Sequence, residues 1–326
     1  EVKRLIEYDR VMIYKFQEDG HGEVVAEEKN EDLEPFFGLH YPASDIPKQA
    51  RELYKLNMTR IIADVYTESS AITTYNNETP LDLTHSTLRA VSPIHIQYLK
   101  NMGVASSFSI SLLVNDELWG LIACHNYSPK FIDFKAREGC KLIGNILSSA
   151  LEFRQAEHTN ENDQLYQNAV DQLSDQLEND PEIISALTKH TTTLLDANSA
   201  TGVAFVYEKK IYTLGQTPDS EHLEPLINWL KLTMNDSIYY THQLSAHYKP
   251  ATSFAENASG IIACLLSKSM GELIIWFKQE TLATINWAGN PEKPVEKSED
   301  GMLNLSPRNS FETFTEIVKN TAPKWS

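Results

Sequence analysis

Ser107-Phe108-Ser109-Ile110-Ser111-Leu112-Leu113-Val114, then Asn115-Asp116, then Glu117-Leu118-Trp119-Gly120-Leu121-Ile122-Ala123-Cys124-His125 decides the fold of the first half of this chain. Asn-Asp between two β-rich runs is a good two-residue hairpin connection. In the first run Phe108, Ile110 and Leu112 alternate with Ser107, Ser109 and Ser111, so one face is apolar and the other is a row of hydroxyls. His125 closes the second run on the face of Leu121 and Ala123. Placed on the same sheet, it can point into the space that the serines face.

Upstream, Ser92-Pro93 opens a helix, with Ser92 as N-cap and Gly103 just past its end. Arg60–Val65 reads as a strand. Tyr41–Pro47 leads into another helix, since Pro47 suits a first helical turn where its missing N–H costs nothing. Val11–Phe16 and Glu23–Ala26 are short strands separated by the Asp19-Gly20 turn. Glu1 to Asp9 reads as a helix already under way. Helices and strands in this order, with short connections, predict an α+β domain around an antiparallel sheet.

Downstream, Phe134 to Leu177 reads as a long helix with a break near Thr159–Asn162. Leu142, Ile143, Ile146, Leu147, Ala150 and Leu151 form one apolar stripe, and Leu165, Ala169, Leu173 and Leu177 another. Such stripes serve either the helix's own domain or a pairing with a second copy. A second domain follows: helical Ile183–Leu195, the hairpin Gly202–Tyr207 with Lys210–Leu214, helical Glu221–Leu232, and the strands Ile261–Ser267 and Glu272–Lys278. Lys278 to Phe311 is a long polar stretch, and loops of that length tend to be functional. Trp287-Ala288-Gly289 and Ser306-Pro307-Arg308-Asn309-Ser310-Phe311 lie inside it and mark a docking arm.

The bulk numbers exclude several classes. The 326 residues suit two domains, and 41% hydrophobic with 22% charged residues supports buried cores. A formal charge of −17 is repelled by nucleic acid and by anionic membranes. The 3 cysteines, Cys124, Cys140 and Cys264, lack metal-type spacing and suit a reducing, cytoplasmic setting. Each is expected to act as a small buried hydrophobe. No apolar run approaches the roughly 18–20 residues that span a bilayer. No phosphate loop, metal cluster or nucleophile–base signature is present in the sequence. The first residues and the end at Ser326 read as a piece of a longer protein.

His95, Tyr98 and Met102 share one helix face at i, i+3 and i+7. His95 lies in the first turn, where the helix dipole favours a neutral ring able to donate and accept. Taken singly, such a histidine is more often structural, and Arg60 and Arg89 are more often surface ion pairs. Together with Tyr14, the serine row and His125, they outline a pocket suited to a flat conjugated ligand carrying carboxylates.

Pro42-Ala43-Ser44-Asp45-Ile46-Pro47 resembles the signature of the phytochrome GAF domain, and Arg89 through Gly103 resembles its chromophore helix. Tyr8–Tyr14 and Trp119–His125 are similar to two further stretches of the family. The Trp-Ala-Gly and Pro-Arg-Asn-Ser-Phe segments look like the two strands of the tongue of a PHY domain. The resemblance implies two GAF-like domains, each with a central antiparallel sheet flanked by helices, joined by a long helix. The boundaries it implies are residues 1–155 for GAF, 134–178 for the connecting helix and 160–326 for PHY, with a tongue at about 279–312.

It further implies a bacteriophytochrome-type red/far-red photoreceptor module, itself no enzyme, that binds biliverdin and isomerises its C15=C16 double bond. By motif, Asp45 and Ile46 would meet the pyrrole N–H groups, with His95 bracketing them. Tyr54, Arg60, Arg89, Ser92, Ser107 and Ser109 would hold the propionates. Tyr14, Tyr41 and Tyr98 would surround ring D, and His125 would bond its carbonyl. Trp287, Pro307, Arg308 and Ser310 would form the tongue, with Arg308 reaching Asp45. Plant-like members carry their attachment cysteine where this chain has Ile94, so covalent attachment is expected at a cysteine upstream of Glu1 and at none here. The implied partners are a second copy through the long helices, and an output histidine kinase with its response regulator in two-component signalling. The alternative reading is a GAF-type regulatory domain for a cyclic nucleotide or other small molecule.

Overall fold

In a computed structural model the described residues are 1–73, 81–87, 89–291, 296–297, 303–304 and 310–325. They divide into two compact units. The first comprises Glu1–Gln155 with Ile285–Glu316, and the second Ala156–Thr284 with Ile317–Ser326.

The first unit begins with α1 (Val2–Ile6), β1 (Arg10–Phe16), β2 (Gly22–Lys29), β3 (Leu39–Tyr41), α2 (Lys48–Leu56) and β4 (Thr59–Ile62). It continues with α3 (Pro93–Asn101), β5 (Ser106–Val114), β6 (Glu117–Asn126) and α4 (Phe134–Asn179), which runs on into the second unit. Asn115 and Asp116 adopt φ of 51° and 61°, the left-handed pair that a tight hairpin needs. Phe108, Ile110 and Leu112 are fully buried in a core with Val11, Ile122 and Cys124. The serine side of β5 lies opposite His125, Ala123 and Leu121 of β6, and the latter two pair in turn with Met12 and Tyr14 of β1.

The second unit holds α5 (Ile183–Thr188), β7 (Gly202–Tyr207), β8 (Lys210–Gly215), α6 (Ser220–Thr233), β9 (Ile238–Thr241), α7 (Leu244–His247), β10 (Gly260–Ser267) and β11 (Glu272–Lys278). Its strands run in the order β8-β7-β11-β10-β9, antiparallel throughout. One face packs Ala204, Ile261, Ile275 and Phe277 against Leu223, Leu226 and Leu230 of α6.

The remaining strands are β12 (Ala283–Ala288), β13 (Glu296–Lys297), β14 (Leu303–Asn304) and β15 (Thr313–Val318). The first sheet has the order β15-β12-β3-β2-β1-β6-β5-β4. β12 joins β3 in parallel, with Asn286 opposite Leu39 and Trp287 opposite His40. The sheet is therefore mixed rather than purely antiparallel, with β12 and β15 extending it beyond β3. β13 and β14 pair as a short antiparallel ladder.

Three expectations are corrected. α4 is unbroken across Thr159–Asn162. Asn and Thr cost only tenths of a kcal/mol each in a helix, no proline or glycine intervenes, and Asn162 bonds His158 one turn back at 2.9 Å. Ile183–Leu195 divides into α5 and a 3-10 turn at Leu194–Ala197, because Thr193 and Asp196 form a reciprocal capping box. The first helix stops at Ile6, where Glu7 takes a left-handed conformation.

Candidate functional site: a cavity between the sheet and helix α3

The hydroxyl face of the first sheet forms one wall of a cavity. Its lining includes Met12 and Tyr14 from β1, Ser107 and Ser109 from β5, and Leu121, Ala123 and His125 from β6. Across from it stand Tyr41, Asp45 and Ile46 from β3 and the turn after it, Tyr54 from α2, and His95, Tyr98, Leu99 and Met102 from α3 with its C-cap. The helical spacing read in the sequence brings His95, Tyr98 and Met102 to one surface, and strand alternation does the same for Ser107, Ser109 and His125.

Local sequence makes room for this wall. A Cβ on Gly22 would fall 1.9 Å from Cζ of Tyr14, so glycine is required where the Tyr14 ring crosses β2. That ring meets Phe16 edge-on at 5.2 Å and Tyr41 at 5.8 Å. Ser111 is withdrawn from the cavity, since its hydroxyl donates to the Tyr54 carbonyl at 2.7 Å and ties α2 to β5.

Both histidines are held neutral. Burial, helped by the nearby Arg60 charge, lowers the pKa of His95 to about 4. Burial first, then Arg10 and His95, lowers that of His125 to about 3. Burial and neighbouring cations therefore act where the helix dipole was expected to act. His125 is 8% exposed, and its Nδ1 is enclosed without a hydrogen-bond partner among the described residues. His95 and Tyr98 stack at 6.3 Å, and the Tyr98 hydroxyl donates to Oδ2 of Asp45 at 3.1 Å.

Arg60, Arg89 and Ser92 are absent from the immediate lining. Arg60 pairs in register with Ser109, but its guanidinium donates to the carbonyls of Thr87 and Arg89. Arg89 donates to Thr84 and Ser86 at 3.2 and 3.0 Å. Burial, and then repulsion from Arg89, lowers the pKa of Arg60 to about 10. The two cations thus sit close enough to disfavour one another, the condition that an anionic group relieves. Ser92 occupies the N-cap of α3 without a side-chain cap bond.

Trp287 is buried on β12 against the first sheet, and Phe311 meets Tyr98 edge-on at 5.4 Å. Ser310 is exposed, its hydroxyl accepting from the Glu312 N–H at 3.4 Å. Pro307 and Arg308 lie outside the described residues, as does the expected contact from Arg308 to Asp45. Cys124 and Cys140 are buried, with burial pushing the first thiol well up and the second to about 11; Cys264 is half-exposed, short of the buried position expected.

Sequence reasoning gave no role to Arg10, Met12, Val24 or Leu99. Arg10 is 1% exposed and forms a buried ion pair with Glu27. Alternation along Arg10, Met12 and Tyr14 would have placed all three on the cavity side. Among the described residues no cluster of three or more His, Cys, Asp or Glu could hold a metal ion, and no helix is long and apolar enough to cross a membrane.

Family models match the chain in two places, a GAF domain over residues 1–151 and a phytochrome region over 166–326. Cyanobacterial phytochrome B of Nostoc sp. is 39% identical over 328 residues, covering 100% of this chain and 44% of the relative. The bacteriophytochrome of Xanthomonas campestris pv. campestris is 35% identical, covering 100% of this chain and 53% of its own length. The chain thus spans about half or less of these relatives. Among solved structures, bacteriophytochrome RpBphP3 from R. palustris superposes with a TM-score of 0.83 at 32% identity, over 99% of this chain and 66% of that one. The photosensory core module of Stigmatella aurantiaca phytochrome gives 0.80 at 35% identity, over 99% and 65%.

Proposed function

Because the chain belongs to the phytochrome family of photoreceptors, with a GAF domain followed by a PHY domain, we propose that its cavity between His95 and His125 binds a linear tetrapyrrole, biliverdin. The observation that carries this reading is the enclosed Nδ1 of His125, which has no hydrogen-bond partner among the described residues. Leaving such a group unsatisfied costs about 1–3 kcal/mol, which a ligand carbonyl or N–H removes. The mutually repelling pair Arg60 and Arg89 supports it too, being suited to two carboxylates.

When bound, the pigment supplies light absorption and isomerisation about its C15=C16 double bond. The chain's own residues bind, orient and exclude water. Arg60 and Arg89 exchange loop carbonyls for ligand carboxylates, with Tyr54, Ser92, Ser107 and Ser109 completing the polar side. Neutral His95 donates from one ring nitrogen and accepts at the other. The Asp45 carbonyl accepts from ligand N–H groups beside Ile46. Tyr14, Tyr41 and Tyr98 close around the far end, where His125 acts as hydrogen-bond partner. Met12, Leu99, Leu121 and Ala123 keep that end dry, so the polar contacts are strong.

Attachment through Cys124 or Cys140 is disfavoured by their burial and raised pKa, which keeps both as thiols. Arg308, which lies outside the described residues, would be the tongue's latch on Asp45, and Ser310 would be its replacement partner. The parent protein passes the change from a cytoplasmic dimer, paired along α4, to a histidine kinase and its response regulator. Exposed Leu142, Ile146 and Phe153 on α4 support the pairing, at 61%, 61% and 66%.

The test is to add biliverdin to the protein and record visible absorbance before and after red light. A red band that falls while a far-red band grows is expected. A spectrum equal to free biliverdin, or one indifferent to light, would sink the reading.

A further inference from the structure

Beside the pigment cavity, and independent of it, a chain of polar contacts holds β12 to the sheet. Nδ1 of His21 lies 2.6 Å from Oδ1 of Asp19, and its Nε2 lies 3.0 Å from Nδ1 of His40. The indole of Trp287 packs edge-on against both imidazoles, at 5.3 Å from His21 and 5.8 Å from His40. Its Nε1 donates to Oε2 of Glu316 at 2.7 Å, and Thr315 donates to Asn286 at 3.0 Å. The backbone ladder from β12 to β3 is short, with Asn286 opposite Leu39 and Trp287 opposite His40. The histidine pair and the buried indole therefore carry much of the attachment.

We infer that His21 and His40 form a proton-sensitive clasp, which holds β12 on the edge of the first sheet at neutral pH and lets it go in acid. The argument is proton counting. With both rings neutral, His21 donates to Asp19 and accepts from His40. With one added proton, His21 donates to both Asp19 and His40. A second proton, on His40, places two donors and two positive charges 3.0 Å apart and abolishes the bond.

The facing groups set which ring takes which proton. Glu23 of β2 and Asp19 favour the charge on His40, and His21 opposes it there; Asp19 also lies within hydrogen-bond distance of Nδ1 of His21. Glu316 of β15 is engaged by the Trp287 N–H. Arg51 of α2 donates to the Gly20 carbonyl at 3.1 Å and is the cation at this turn. Burial is the largest effect on His40 and lowers its pKa from the ordinary histidine value. The docked strand therefore binds fewer protons than the released one. Docking is complete above the free-histidine pKa of about 6.5 and weakens as pH falls below it.

Hydrogen–deuterium exchange on the whole chain tests this, with rates corrected for intrinsic pH dependence. Between pH 7.5 and 5.5, protection of the β12 amides should fall several-fold, up to about tenfold for one proton with a free pKa near 6.5. Amides of β7 and β11, in the second unit and away from His125, should change less than twofold. His40→Gln keeps a hydrogen-bonding side chain that cannot titrate, so its β12 profile should be flat. A flat wild-type profile, or an unchanged fall in His40→Gln, overturns the clasp. Should His40→Gln leave β12 unprotected at every pH, His21→Gln decides: a flat profile supports the clasp and the wild-type fall overturns it. Binding of pigment plays no part in the readout.

Discussion

The Tyr98 hydroxyl donates to Oδ2 of Asp45 at 3.1 Å, joining α3 to the Pro42–Pro47 turn across the cavity. Both side chains are half-buried, so the bond is worth about 1 kcal/mol. Tyr98→Phe is expected to lower the unfolding free energy of the first unit by that amount, seen as a lower urea midpoint with an unchanged m-value. A changed m-value would mean that the substitution loosens the native state instead.

His125 sets a pH limit on stability. Its folded pKa of about 3 lies below the ordinary histidine value because the ring is buried. The folded state therefore binds fewer protons than the unfolded chain, and this contribution is complete above about pH 6.5. Below that it declines by about 1.4 kcal/mol per pH unit, towards the folded pKa. Urea titrations at pH 7, 6 and 5 should show the decline in the first unit. His125→Gln should make it shallower, and an identical slope would contradict the assignment.

Arg10 and Glu27 form an ion pair in which both side chains are nearly inaccessible, at 1% and 4% exposure. Glu27 also accepts from the backbone N–H groups of Phe36 and Phe37, and the Arg10 guanidinium lies 3.6 Å over the Phe36 ring. Removing one partner strands the other charge, so Glu27→Gln should cost about 3–5 kcal/mol. Arg10→Met combined with Glu27→Leu should recover part of it. Equal losses in the single and double variants, measured by denaturant unfolding, would rule out stranded charge as the cause.

Thiol chemistry separates the three cysteines. Cys124 and Cys140 are buried with raised pKa, and Cys264 is half-exposed. Brief treatment of the native protein with iodoacetamide at pH 8 should label Cys264 ahead of the other two, read by peptide mass spectrometry. Early labelling of Cys124 would show that the core around β6 opens readily.

Pairing along α4 predicts that Leu142→Glu with Ile146→Glu yields monomers, read by light scattering after gel filtration. Both side chains are exposed on the helix surface, so the folded content should stay unchanged. A variant that kept the wild-type mass would place the contact elsewhere.

What could be read from the sequence follows the range of the interactions. The Asn115-Asp116 turn, the serine row and the His95–Tyr98–Met102 face are local, and each emerged from spacing. The four resting bonds of the arginines were not legible, because Arg60 and Arg89 bind carbonyls of an irregular loop that has no periodicity. The parallel union of β12 with β3 joins segments far apart in sequence, and a short run such as Leu39–Tyr41 carries no register information of its own. The break expected in α4 rests on the weak helix formers Thr159, Asn160 and Asn162, but none of them is a true breaker and the helix runs through them.

Contribution of residues 285–316 to the first unit also constrains birth on the ribosome. β3 emerges early, yet its partner β12 follows more than two hundred residues later. At about 5–20 residues per second that interval is roughly ten to fifty seconds. Throughout it the Leu39–Tyr41 edge has unsatisfied backbone groups available to any passing strand. The nascent chain thus passes that interval with one sheet unfinished and its edge open to pairing.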